Sequence, residues 1–220
     1  MDAKLRSSRF LGWFARFQQL TWTGLKPGPM DRNSPPAGLS PPYMLHLGCG
    51  PHRFEGWVNI DLDSPVADIR MDLREQLPFP DCSVSFVYAE HFIEHVTRED
   101  GVRLLKECAR VLALDGVVRL STPDLAFLAE VYLRGEIHHW QDLWQPRTPC
   151  QMVNEGMRLW GHQFVYDRAE LRDVLAEAGF SESRETGWRE SAIAELQGLE
   201  RRPFHREIIM EASRQPGRLG

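Results

Sequence analysis

The apolar run Tyr43–Leu47 ends on Gly48-Cys49-Gly50, and a second run, Trp57–Ile60, ends on Asp61. Glycines directly after a strand let the backbone turn tightly and come close to a ligand. A carboxylate at the end of the next strand can accept hydrogen bonds from both hydroxyls of a ribose. Together the two signals describe a nucleoside-binding loop; the plain alternative is a tight turn beside a surface aspartate. A dinucleotide site would need G-x-G-x-x-G, with an acid about twenty residues further on. Here Arg53 occupies the third glycine position, and only ten residues separate Gly50 from Asp61. The first crossover must be very short, and a ligand without a pyrophosphate suits it better than a nicotinamide cofactor.

Groups able to move a proton stand later in the chain. Ser121-Thr122-Pro123-Asp124 closes an apolar run, and His162 follows a tryptophan and a glycine. Asp124, His162 and His91 are the candidate catalytic residues, with His95 beside them. Each has a structural alternative: Asp124 can cap a helix beginning at Leu125, and the histidines can pack. His91-Phe92-Ile93-Glu94-His95 also matches the H-x-x-E-H pattern of inverted zinc proteases. On a helix, His91 and His95 would share a face, so metal ligation is geometrically feasible. Five-residue patterns recur by chance, however, and the α/β organisation accounts for this one. The expectation is therefore no bound metal.

The elements that must position these groups alternate between strand and helix. Ala67–Met71 reads as a weak third strand and Val84–Ala89 as a fourth. His91–Val96 opens a helix, and Arg98–Ala113 is an amphipathic helix with Val102, Leu105, Cys108, Ala109 and Leu112 on one face. Asp115-Gly116 reads as a turn before a fifth strand, Val117–Ser121. Asp167–Ala178 is a helix stopped by Gly179, and Glu207–Ala212 is a last strand. The pattern predicts an α/β fold: a Rossmann-like, doubly wound, mostly parallel sheet in one domain over residues 43–214. Residues 1–26 predict an amphipathic helix with Phe10, Trp13, Phe14 and Phe17 on one face, and six prolines make 27–42 a linker.

Hydrophobic residues make up 42% and charged residues 26% of the 220, which fits a globular domain. No apolar run approaches the ~20 residues of a membrane span, and no secretory signal is visible. The four scattered cysteines form no C-x-x-C pair, so the expected location is a reducing cytoplasm. Residues 1–40 carry six Lys/Arg against two Asp, whereas the remainder carries 20 basic against 29 acidic residues. An acidic body is a poor match for nucleic acid. The basic, aromatic residues 1–25 could dock on a membrane surface, a partner enzyme or the domain itself.

Several segments, in this order over Tyr43–Arg214, resemble the class I S-adenosylmethionine (SAM)-dependent methyltransferases of bacterial polysaccharide and natural-product gene clusters. They are Leu47–Gly50, Gly56–Asp61, Asp72-Leu73, Leu77–Phe79, Glu90–Val96, Val117–Asp124, and Trp160–Phe164 with Tyr166-Asp167. The resemblance implies that Gly48, Cys49 and Gly50 form the cofactor loop and that Asp61 binds ribose. It further implies that Leu62 lies against adenine, that Asp72 and Leu73 flank adenine, and that Glu90 completes the cofactor set. It implies a small-molecule or glycan as methyl acceptor, with specificity in the Trp- and His-rich stretch Leu125–Trp160. His46 departs from the pattern, standing where many relatives have an acid that helps hold the methionine amino group. Two rival readings follow: a degenerate methyltransferase fold acting as a protein partner without turnover, and a nicotinamide-dependent oxidoreductase.

Overall fold

A computed structural model of the chain describes residues 38–141, 143–203 and 205–219. The expected helix over 1–26 and most of the linker lie outside the described residues. Seven strands form one sheet: β1 (Tyr43–Leu47), β2 (Val58–Asp61), β3 (Ile69–Arg70), β4 (Val84–Glu90), β5 (Leu112–Thr122), β6 (Glu182–Glu185) and β7 (Ile208–Ser213). Their order is β3-β2-β1-β4-β5-β7-β6. The first five run parallel, and β7 is antiparallel to both β5 and β6. The order reverses between β1 and β4, the point where open α/β sheets leave a crevice at their carboxyl edge.

Helices α1 (Arg98–Val111) and α4 (Arg168–Glu177) pack side by side on one face, over Leu45, Leu47, Val87, Val118 and Leu120. Each starts on a side-chain cap. Thr97 Oγ1 accepts from Asp100 N at 3.1 Å, and Asp167 Oδ1 from Glu170 N at 2.8 Å. Gly179, at φ +99°, supplies the left-handed residue that ends α4, as the sequence predicts. Helices α2 (Leu125–Leu133) and α3 (Pro149–Arg158) make a small cap after β5, around Leu128, Trp140, Trp144 and Met152. The tryptophans of this stretch suit a flat ligand or a core equally by sequence; Trp140 and Trp144 are core residues of this cap, and Trp160 packs against it partly buried.

The opposite sheet face carries His46, Phe86, Tyr88 and Arg119. Among the described residues it is covered by Phe54, Trp57 and the segment bearing Ile193, Leu196 and Leu199. Arg119 ties this cover down. Fully buried in β5, it reaches Glu200 Oε1 and Glu211 Oε1, each at 2.7 Å, Thr186 Oγ1 at 2.9 Å and the Glu190 carbonyl at 3.0 Å.

Three local expectations change. His91–Val96 does not open a helix: between the end of β4 at Glu90 and the cap at Thr97 there is room only for a 3-10 turn at Ile93–His95, and His91 adopts φ +52°. Asp115-Gly116 is not a turn before β5. The strand begins at Leu112, and its ladder jumps from the Val84–Leu112 pair to Phe86–Val117, which places Asp115 and Gly116 in a bulge. β6 lies in Glu-Ser-Arg-Glu, a polar sequence without apolar alternation, because it is a half-buried edge strand. No helix among the described residues is long and apolar enough to cross a membrane.

Candidate active site

The turn after β1 is built from backbone geometry. Gly48 and Gly50 sit at φ +63° and +52°. A Cβ on Gly48 would lie 2.5 Å from a Phe92 ring carbon. Cys49 N donates to the Ile60 carbonyl at 3.2 Å, and Gly50 N to Asp61 Oδ2 at 2.9 Å, so the loop folds over the end of β2. Asp61 Oδ1 accepts from the amides of Asp63 and Ser64, each at 3.0 Å. A carboxylate offers about four lone-pair sites, and three backbone amides occupy three of those on Asp61. Leu62 beside it is 50% exposed, an apolar face open to a flat ligand. Beyond β3, Asp72 pairs with Arg74, whose Nε lies 2.9 Å from Oδ1, while Leu73 is buried. Burial, followed by the nearby Asp61 charge, pushes the Cys49 thiol up to about 11, so it stays protonated and lines the turn as a small apolar group.

His46 does not reach this turn. It is buried on the opposite sheet face, stacked on Phe54 at 4.3 Å, with Nδ1 3.2 Å from Asn59 Oδ1. Burial lowers its pKa to about 4, so it is neutral at pH 7. Its ordinary value is 6.5, so as pH falls the unfolded chain takes up this proton first. Stability is lost between pH 6.5 and 4, by roughly 3 kcal/mol at most. In His46→Gln this acid-sensitive part disappears. The stability gap between wild type and variant, measured by urea unfolding, should shift by up to about that amount in the variant's favour from pH 7 to 4. A pH-independent gap would clear His46 of any role in the acid response.

The end of β4 carries the acid–base groups. Glu90 accepts from Arg201 N at 3.1 Å and Arg202 N at 2.9 Å, so it holds the 201–202 backbone across the carboxyl edge. Burial pushes its carboxyl up despite those amides. Glu94, fully buried, receives His91 Nδ1 at 3.0 Å and Thr122 Oγ1 at 3.0 Å. Burial alone would raise the Glu94 carboxyl, but the His91 hydrogen bond and the surrounding imidazoles hold it well below the usual range. Burial also brings His91 and His95 down to about 4, leaving both imidazoles neutral. His162 stands against His95, with ring centroids 5.1 Å apart, and its Nδ1 lies 2.9 Å from the Gly156 carbonyl. Donation there leaves the lone pair on Nε2, the arrangement of a general base.

Asp124 is committed elsewhere. Oδ1 caps α2 by accepting from Ala126 N at 2.9 Å, and Oδ2 pairs with Arg168 Nη1. It lies in a cleft of about 410 Å³ whose walls include Phe127, Arg168, Trp188, Arg206 and Glu207. The structure thus gathers Gly48, Cys49, Gly50, Asp61 and Leu62 at the β1/β2 ends, with Asp72 and Leu73 following the neighbouring β3. His91, Glu94, His95 and His162 form a second group, and Asp124 borders the cleft. Arg168, Trp188 and Glu207 also line the cleft; they come from sequence-distant segments and fit no motif.

Residues 58–120 match the model of a methyltransferase domain. The chain superposes on a SAM-dependent methyltransferase from Thermotoga maritima with a TM-score of 0.52 at 17% identity, covering 94% of this chain and 89% of that one. The chain has the fold of SAM-dependent methyltransferases. A second such enzyme, from Mesorhizobium loti, gives a TM-score of 0.50 at 19% identity over 78% of this chain and 90% of that one. A search of curated proteins finds no match. The matched domain residues run from β2 into β5 and take in Asp61, Asp72, Glu90 and His91, but not the glycine turn or Asp124.

Proposed function

We propose that the chain transfers a methyl group from SAM to a small-molecule or glycan acceptor. The observation that carries this reading is the β1/β2 turn, where two left-handed glycines, a pinned carboxylate and an exposed leucine share one carboxyl edge. These residues fit the cofactor. Asp61 would hold a ribose hydroxyl, Leu62 would cover adenine, and Asp72 with Leu73 would border it. When bound, SAM supplies an activated methyl on a sulfonium. The chain's own contribution is then positioning and exclusion of water. His162 Nε2 would take the acceptor's proton, and Asp124, which caps α2 and pairs with Arg168, would hold that helix beside the cleft. The rival reading, a fold that binds without turnover, draws on the withdrawal of His46 from the cofactor side.

Calorimetry with SAM and with its demethylated product tests the proposal. Saturable heat is expected. Asp61→Ala should weaken binding by about 1.5–3 kcal/mol, the range for a lost hydrogen bond to a charged group. Absence of heat at millimolar ligand would sink the reading, and an unchanged Kd in a folded Asp61→Ala variant would remove Asp61 from the site. Binding without label transfer to any fractionated metabolite would favour the non-catalytic alternative.

A further inference from the structure

We propose that His91, His205 and Glu207 form a binding site for a divalent transition metal such as zinc. One donor atom from each lies within 4.8 Å of the other two. The three side chains are 4%, 10% and 1% exposed. His91 Nε2 and Glu207 Oε1 are buried and have no hydrogen-bond partner. An orphaned buried polar atom costs about 1–3 kcal/mol, and two such atoms in one cluster point to a shared missing partner. Glu207 Oε2 is already engaged, accepting from His205 N at 2.8 Å and lying 2.9 Å from His205 Nδ1, so Oε1 is the oxygen left over.

The surroundings orient the donors. Glu94 receives His91 Nδ1 and is itself held by Thr122. A carboxylate on one imidazole nitrogen fixes the tautomer that offers the other to a metal, the usual arrangement behind ligating histidines. Trp140 stacks on His205 at 4.2 Å, and its Nε1 donates to the Pro203 carbonyl at 3.0 Å, which steadies the strap carrying His205. Two imidazoles and one carboxylate suit zinc and its transition-metal neighbours rather than magnesium or calcium. Donors about 2.0–2.1 Å from a tetrahedral ion stand roughly 3.3 Å apart, within reach of small side-chain movements from the arrangement present.

The site differs from the helical H-x-x-E-H chelate that the sequence suggests and discounts. His91 lies outside any helix, and His95 belongs with His162 on the other side of Glu94. The expectation of no metal rests on that local pattern alone, whereas the other two donors of this site come more than a hundred residues later. Three protein ligands leave a coordination position for water or another small ligand, and Glu207 also lines the cleft beside Asp124.

The test uses the full chain, stripped with a chelator and titrated with Zn(II) alone, read by elemental analysis and melting temperature, with Co(II) absorption as the spectroscopic probe. One equivalent should bind and raise the melting temperature. His205→Ala and Glu207→Gln should each weaken binding at least ten-fold, and His162→Ala should leave it within two-fold. The proposal is overturned if wild type binds no stoichiometric zinc or if folded His205→Ala and Glu207→Gln both retain full affinity. It is also overturned if His162→Ala alone abolishes binding, which would place the ion at Glu94, His95 and His162. Two ligand variants are used so that a folding failure in one leaves the other to decide.

Discussion

Arg119→Met should lower the unfolding free energy by about 3–5 kcal/mol, the cost of leaving a buried charge without its partner. Arg119, Glu200 and Glu211 are all fully buried, and one guanidinium serves both carboxylates. Methionine fills much of the volume but strands the two acids. The loss should be local as well as global, because Glu200 Oε2 also receives Arg189 N at 3.0 Å and Arg119 reaches the Glu190 carbonyl. Without the cation, the cover over Phe86 and Tyr88 loses its tether. Urea unfolding measures the effect, and hydrogen exchange should show early opening across 186–200. Combining Arg119→Met with Glu200→Gln and Glu211→Gln should recover a large share, since replacing a whole buried ionic group is often near neutral. A single variant within 1 kcal/mol of wild type would show that the network carries little of the fold.

Gly48→Ala should cost about 2–5 kcal/mol. Left-handed backbone costs a non-glycine residue about 1–2 kcal/mol, and overpacking adds about 1–3. The overlap is specific: the new Cβ would lie 2.5 Å and 2.9 Å from two Phe92 ring atoms. The turn must therefore shift away from Phe92, and Gly50 N then leaves Asp61. Cofactor affinity should fall with stability. Phe92→Ala supplies a control, because in that background the packing part of the Gly48→Ala penalty disappears and the backbone part remains. Identical penalties with and without the ring would mean that Phe92 does not set the glycine requirement.

The parts of the site readable in the sequence are those made locally. Gly48, Gly50 and Asp61 lie within fourteen residues, and their spacing alone describes a turn folded over a strand end. Asp124 reads as a candidate catalytic carboxylate with a helix cap as its alternative; the cap is legible because capping needs only the next few residues, and Ala126 N does donate to Asp124 Oδ1. His91 and His95 read as one helix face because five-residue spacing assumes a helix; the short connection between β4 and α1 breaks that assumption. His46 looks like an altered cofactor contact, yet its surroundings come from Phe54, Asn59 and Tyr88, which only tertiary packing brings together. The cover over the second sheet face and the strap bearing His205 leave no periodic signal, because loops bury residues irregularly.

The placement of β7 has a kinetic consequence. Val117–Thr122 pairs with Ile208–Ser213, partners separated by 86 to 96 positions along the chain. As synthesis proceeds, one side of β5 has no neighbour until that late segment emerges. Contacts between distant segments make closure slow, because the intervening chain must be ordered first. Val117, Val118 and Leu120 meanwhile lie along an open strand edge, the surface on which partly folded chains associate with one another. Refolding yield should therefore fall as protein concentration rises, with the insertion of Ile208–Ser213 as the step that ends the exposure.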